Sequence, residues 1–156
     1  MTYRAPGTRT LGSVAVLALL ASAMLAFARP VEMTVDGVGV ESDVPPVTAA
    51  DDRVFVPIRS FARALGGQTS GEDGHIEVVR GSQSLRVKAG DVRATVNGKP
   101  LTLTHAPFLV RGRVMVELDT LAGAFNVRAR YDARTARISV LTPGTGQAPA
   151  SPVSTQ

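Results

Sequence analysis

A segment of thirteen residues, Val54 to Gly66, recurs in pattern at Val114 to Asn126, and few folds accommodate such a pair. Each copy opens on residues that read as the end of a strand, Val54-Phe55-Val56 and Val114-Met115-Val116, with alternate side chains on opposite faces. In the first copy Pro57 ends strand pairing, because it has no N–H to give, and suits the first turn of a helix. Ile58, Phe61, Ala62 and Leu65 then fall at i, i+3, i+4 and i+7, one stripe of an amphipathic helix. Arg59, Ser60 and Arg63 take the other faces, and Gly66-Gly67 supplies a stop. The second stripe is Leu118, Leu121, Ala122 and Phe125, sixty positions on at every member. A short helix with one apolar stripe must lie on a sheet to hide it. Full burial of Ile58, Phe61 and Leu65 is worth roughly 1.5–3 kcal/mol each.

The flanks match as well. Asp36-Gly37 and Asn97-Gly98 each sit between β-type residues and predict type I′ hairpin turns. Pro45-Pro46-Val47 and Ala106-Pro107-Phe108 mark extended runs before the two strand–helix units. After the first helix, Gly67 to Ser70 and His75 to Arg80 predict a strand pair. After the second, Val127 to Tyr131 and Arg137 to Leu141 do the same around Asp132-Ala133-Arg134-Thr135. Between the halves, Ser84 to Lys88 alternates as a strand and reads as a link at 83–88.

The expectation is therefore an α+β domain over 31–141. It holds two copies of a strand-hairpin/strand/helix/strand-hairpin unit, about 31–80 and 92–141, sharing one core and a mostly antiparallel sheet. At roughly fifty residues one half is marginal by itself. Residues 142–156, rich in Pro, Gly, Ser, Thr and Ala and uncharged, read as a flexible tail.

At the other end, residues 1–28 read as a secretory signal peptide. Arg4 and Arg9 precede the uncharged run Leu11 to Phe27, and Ala26-Phe27-Ala28 is a small-x-small cleavage site. An uncleaved membrane anchor is the alternative. Either way the domain is expected outside the cytoplasm. Cleavage removes Arg4 and Arg9 and takes the formal charge from +4 to +2, so nucleic acid is not an expected partner. The absence of cysteine excludes disulfides, thiolate metal sites and a Cys nucleophile.

With these pieces in place, the sequence resembles the copper amine oxidase N-terminal domain family, or stalk domain. The resemblance rests on Val35-Asp36-Gly37, Val54-Phe55-Val56-Pro57-Ile58-Arg59 and Ala64-Leu65-Gly66 in the first half. In the second it rests on Val96-Asn97-Gly98-Lys99, Ala106-Pro107, Gly112-Arg113-Val114-Met115-Val116 and Tyr131-Asp132. Glu117 and Asp119 depart from the family's Pro and Arg, and Asn126 from its terminating Gly. The resemblance implies a secreted, non-catalytic module, with copper ligands and oxidase chemistry in a separate domain that this chain does not contain.

The residues themselves carry no catalytic constellation. There is no Gly-x-Ser-x-Gly elbow, and Gly71-Glu72-Asp73-Gly74 is too acidic to cradle phosphate. His75 and His105 are too few for a His-rich metal site, and His105 has no acidic neighbour in sequence. Asp51 and Asp52 fall in an exposed turn. No catalytic residue, metal ligand or cofactor is expected. The candidate binding residues are Arg128, Arg130, Tyr131, Arg134 and Arg137 on the last strand pair, with Arg59 and Arg63 on the first helix. An anionic cell-envelope polymer or an extracytoplasmic protein is the expected partner, against the plainer reading of arginines that protect a strand edge. A structural spacer or oligomerisation unit, and an extracytoplasmic hydrolase with an unrecognised site, remain as alternatives.

Overall fold

The computed structural model describes residues 30–144. The expected signal peptide, and the tail beyond Gly144, lie outside the described residues. The chain runs β1 (Glu32–Val35), β2 (Val38–Gly39), β3 (Val47–Thr48), β4 (Val54–Pro57), α1 (Ile58–Ala64), β5 (Gln68–Ser70), β6 (His75–Arg80) and β7 (Gln83–Lys88). It continues with β8 (Arg93–Val96), β9 (Lys99–Thr102), β10 (Phe108–Val110), β11 (Arg113–Glu117), α2 (Leu118–Ala124), β12 (Arg128–Asp132) and β13 (Arg137–Leu141). The composition is α+β, mostly sheet, and every strand pairing except β1 with β13 is antiparallel.

Local chemistry explains the turns. Asp36 and Gly37 have φ of 49° and 83°, and Asn97 and Gly98 have 51° and 76°, the double left-handed conformation of a type I′ hairpin. Both helices begin where the apolar stripe begins and end on a left-handed residue. That residue is Gly66 after α1 (φ 74°) and Asn126 after α2 (φ 49°). The Gly67 and Val127 amides then donate back to the Ala62 and Ala122 carbonyls at 2.8 and 3.0 Å, which satisfies the last turn.

The strands form three sheets. A terminal sheet has the order β12-β13-β1-β2, a central sheet β10-β11-β4-β3 and a long sheet β5-β6-β7-β8-β9. At the heart of the central sheet β4 and β11 pair with Val56 opposite Val116, Phe55 opposite Glu117 and Pro57 opposite Met115. The terminal sheet joins the two ends of the described chain, since β1 lies parallel to β13 with Met33 beside Ile138 and Val35 beside Val140. The linking segment is more than a connection: β7 lies between β6 and β8 and pairs with both.

Alternation along β4 and β11 sorts their side chains between two clusters. Val54, Val56, Val114 and Val116 join the main core with Ile58, Phe61, Leu118, Leu121 and Phe125, together with strand residues of both other sheets. Phe55 and Met115 face the other way, into a small cluster with Val44 bordered by Phe108. Ser60 departs from the expected polar face. It is buried, and its hydroxyl donates to Ser42 Oγ at 2.9 Å, which in turn donates to the Val44 carbonyl at 2.7 Å. That chain of hydroxyls is what makes burial of Ser60 tolerable. Among the described residues no helix is long and apolar enough to cross a membrane.

Candidate functional site

The terminal sheet carries the arginines singled out in the sequence, and strand alternation decides which of them share a face. On β12, Arg128, Arg130 and Asp132 are exposed while Ala129 and Tyr131 are half-buried; on β13, Arg137, Ser139 and Leu141 are exposed while Ile138 and Val140 are buried. The register sets Arg128 beside Leu141, Arg130 beside Ser139 and Asp132 beside Arg137. Arg137 is also beside Glu32 of β1, and its Nη2 donates to Glu32 Oε2 at 3.2 Å. In the turn, the Arg134 amide donates to Asp132 Oδ1 at 2.9 Å. Among the described residues the guanidinium groups of Arg128, Arg130 and Arg134 have no carboxylate partner, so their charge is available to a ligand.

The sequence grouped Tyr131 with these arginines, but it stands on the other side of the sheet. It pairs with Ile138 and packs against the main core, because an odd–even step along a strand reverses the face. Beside it a cleft of about 240 Å³ is lined by four acids, Asp51, Asp52, Glu117 and Asp119, together with Arg53, Val54, Leu118, Ala129 and Tyr131 itself. Arg53 Nε lies 2.5 Å from Asp51 Oδ2, an ion pair within that lining.

Arg59 and Arg63 lie in a separate cleft of about 490 Å³, with Ser42, Asp43 and Arg113. There Arg59 is structural: its Nη2 donates to the Gly71 carbonyl at 2.5 Å and ties α1 to the turn before β6. Arg113 Nε donates to Asp43 Oδ2 at 2.7 Å, and that bond holds the Asp43 carboxyl below its usual range. Of the arginines in this cleft, Arg63 alone is exposed without an ion partner among the described residues.

Two features escaped the sequence. His105 has an acidic partner in space, Glu117, with Nδ1 to Oε2 at 3.1 Å, and Phe55 stands edge-on beside the imidazole at 6.2 Å. Their separation of twelve residues hid the pair. On the long sheet an open groove of about 720 Å³ is lined by His75, Arg86, Lys88, Arg93, Thr95 and Thr102. The alternation of Ser84 to Lys88 was the available signal. In that groove, however, Arg86 is bound to Glu77 and Arg93 to Asp91.

Among the described residues Asp43, Asp51 and Asp91 are carboxyls shifted down: Asp43 is held by Arg113, Asp51 by Arg53, and Asp91 is taken by Arg93 to about 2. A general acid needs the opposite shift.

The copper amine oxidase N-terminal domain family matches residues 34–140. The chain belongs to that family. A search of curated proteins found no match. That family is the non-catalytic N-terminal domain of copper amine oxidases. Copper itself does not fit the donor set here. Among the described residues no three of His, Cys, Asp and Glu come together, and His105 is engaged with one carboxylate beside an aromatic ring.

Proposed function

We propose that this domain is a non-catalytic, extracytoplasmic stalk module that holds an anionic partner on the outer face of the terminal sheet. The partner is a cell-envelope polymer or an extracytoplasmic protein. The observation that carries this reading is the exposed trio Arg128, Arg130 and Arg134, unpaired among the described residues on a hairpin whose residues 128–137 hold four arginines against one acid. Guanidinium groups two apart on a strand face stand roughly 7 Å apart and can each take a carboxylate or phosphate. The location outside the cytoplasm rests on the signal-like pattern of residues 1–28.

We infer also that the two halves are copies of one unit. Support comes from α1 and α2 starting sixty positions apart, and from the reciprocal register of Phe55, Val56 and Pro57 with Glu117, Val116 and Met115.

The test is binding of the full chain to envelope fractions and to a soluble polyanion at low salt. The double variant Arg128→Glu/Arg130→Glu is expected to lose at least tenfold in affinity. Undiminished binding by that variant overturns the reading.

A further inference from the structure

The six strands at the sheet edges are not equally protected. β2 and β3 have two residues each, and β5 and β10 have three. β9 has four, but Thr95 pairs with Pro100 one step beyond the pair Val96 and Lys99 that closes the Asn97-Gly98 turn. In an antiparallel ladder that step turns the Pro100 nitrogen outward, and it has no N–H to offer. β12 has five residues, no proline, and forms the outer strand of the terminal sheet. Natural edges are usually kept short or blocked.

The ladder fixes which groups β12 presents. The Glu32 amide donates to the Ala136 carbonyl at 2.9 Å and the Asp36 amide to the Val140 carbonyl at 2.8 Å. The main-chain groups of residues 136, 138 and 140 therefore face β1, and those of Arg137, Ser139 and Leu141 face β12. Their partners Asp132, Arg130 and Arg128 make the ladder bonds. The N–H and C=O groups of Ala129 and Tyr131 then point away from the sheet, and no turn or loop backbone of the described chain bonds to them.

We infer that this edge accepts an extended acidic peptide segment of another protein as an added antiparallel strand. The inference rests on the arginine face being the anion-binding surface, and it names the partner. An added strand would bond through its main chain to Ala129 and Tyr131. Its residues opposite Arg128 and Arg130 would then be non-hydrogen-bonded pairs, where side chains approach most closely. Acids at those alternate positions meet the two unpaired guanidinium groups. The intervening side chains face the cleft beside Tyr131, where Val54 and Leu118 stand among the carboxylates of Asp51, Asp52, Glu117 and Asp119, so these positions take an uncharged residue and exclude an acid. A second copy of this chain is disfavoured, because two β12 edges bring arginine against arginine. Main-chain bonding gives affinity and the alternate acids give selectivity, the division of labour in strand addition.

The probe is a capped heptapeptide alternating glutamate with valine, measured by fluorescence anisotropy on the full chain beside inorganic polyphosphate. Ala129→Pro removes an outward N–H and no ladder bond. It is expected to weaken the peptide at least tenfold and leave polyphosphate unchanged. As a check that needs no variant, the peptide N-methylated at its alternate bonding amides is expected to bind at least tenfold more weakly than the parent. Equal binding of the methylated peptide, no binding of the parent at low salt, or a dimer of the chain that Ala129→Pro dissolves overturns the inference. Loss of polyphosphate binding in Arg128→Glu/Arg130→Glu reports separately on the anion surface.

Discussion

The rings of Phe61 in α1 and Phe125 at the end of α2 lie 6.4 Å apart, tilted by 46°, and both are fully buried. This contact ties the two helices across the main core. Phe61→Ala and Phe125→Ala are each expected to cost roughly 3–5 kcal/mol in denaturant unfolding. Because the rings touch, the double variant should depart from the sum of the singles by about 0.5–3 kcal/mol. Additive losses would mean that the two helices belong to independently packed units.

Glycines 37 and 71 both have positive φ, but they differ in surroundings. A Cβ at Gly37 (φ 83°) meets nothing within 4 Å, so Gly37→Ala pays only conformational strain of about 1–2 kcal/mol. At Gly71 (φ 101°) a Cβ would lie 2.3 Å from the His75 carbonyl oxygen, and backbone must move. The Gly71 carbonyl also anchors Arg59. Gly71→Ala should therefore lower the thermal midpoint clearly more than Gly37→Ala. Equal shifts would show that the turn before β6 yields freely.

Much of this fold was legible because the decisive signals are local. The Asp-Gly and Asn-Gly turns, the two apolar stripes and the left-handed Asn126 are set by a few adjacent residues. What was hidden depends on chain distant in sequence. Nothing near Ser84 announces that β7 will pair on both sides, and nothing near Met33 announces a parallel partner at Ile138. The candidate site shows the same division. Arg128 and Arg130 share a face by strand periodicity alone, whereas the freedom of their charge depends on which acids fold nearby, and Glu32 reaches only Arg137. Tyr131 was misplaced because the arginines were grouped by proximity in sequence rather than by parity along the strand.

Asp91 and Arg93 offer a pH test. Asp91 Oδ1 accepts from the Arg93 amide at 2.9 Å, and Asp91 Oδ2 from Arg93 Nη2 at 2.9 Å; the side-chain bond leads in holding the carboxyl at about 2 against an ordinary 3.8. A carboxyl depressed in the folded state contributes stability that is fully present above 3.8 and is lost as pH falls through about 2. In Arg93→Gln the carboxyl resonance of Asp91 should titrate closer to 3.8, though not fully, because the residue 93 amide remains. The difference in stability between variant and parent should shrink as pH falls across that window. A difference that is constant from neutral pH to pH 2 would show that Arg93 acts through packing instead.

Arg130 and Tyr131 are neighbours in sequence on opposite faces of β12, so they separate binding from folding. Tyr131 packs against the main core, and Tyr131→Ala should destabilise the domain by about 2 kcal/mol or more, while Tyr131→Phe keeps the ring and should leave polyphosphate binding unchanged. Arg130 is exposed and unpaired among the described residues, so Arg130→Ala should stay within about 0.5 kcal/mol of the parent in stability. It should nonetheless bind polyphosphate more weakly, and the deficit should narrow as salt is raised, because the lost term is Coulombic. The opposite pattern, with Tyr131→Phe impairing binding and Arg130→Ala leaving it intact, would move the functional face from the arginine side of the terminal sheet to the cleft beside Tyr131.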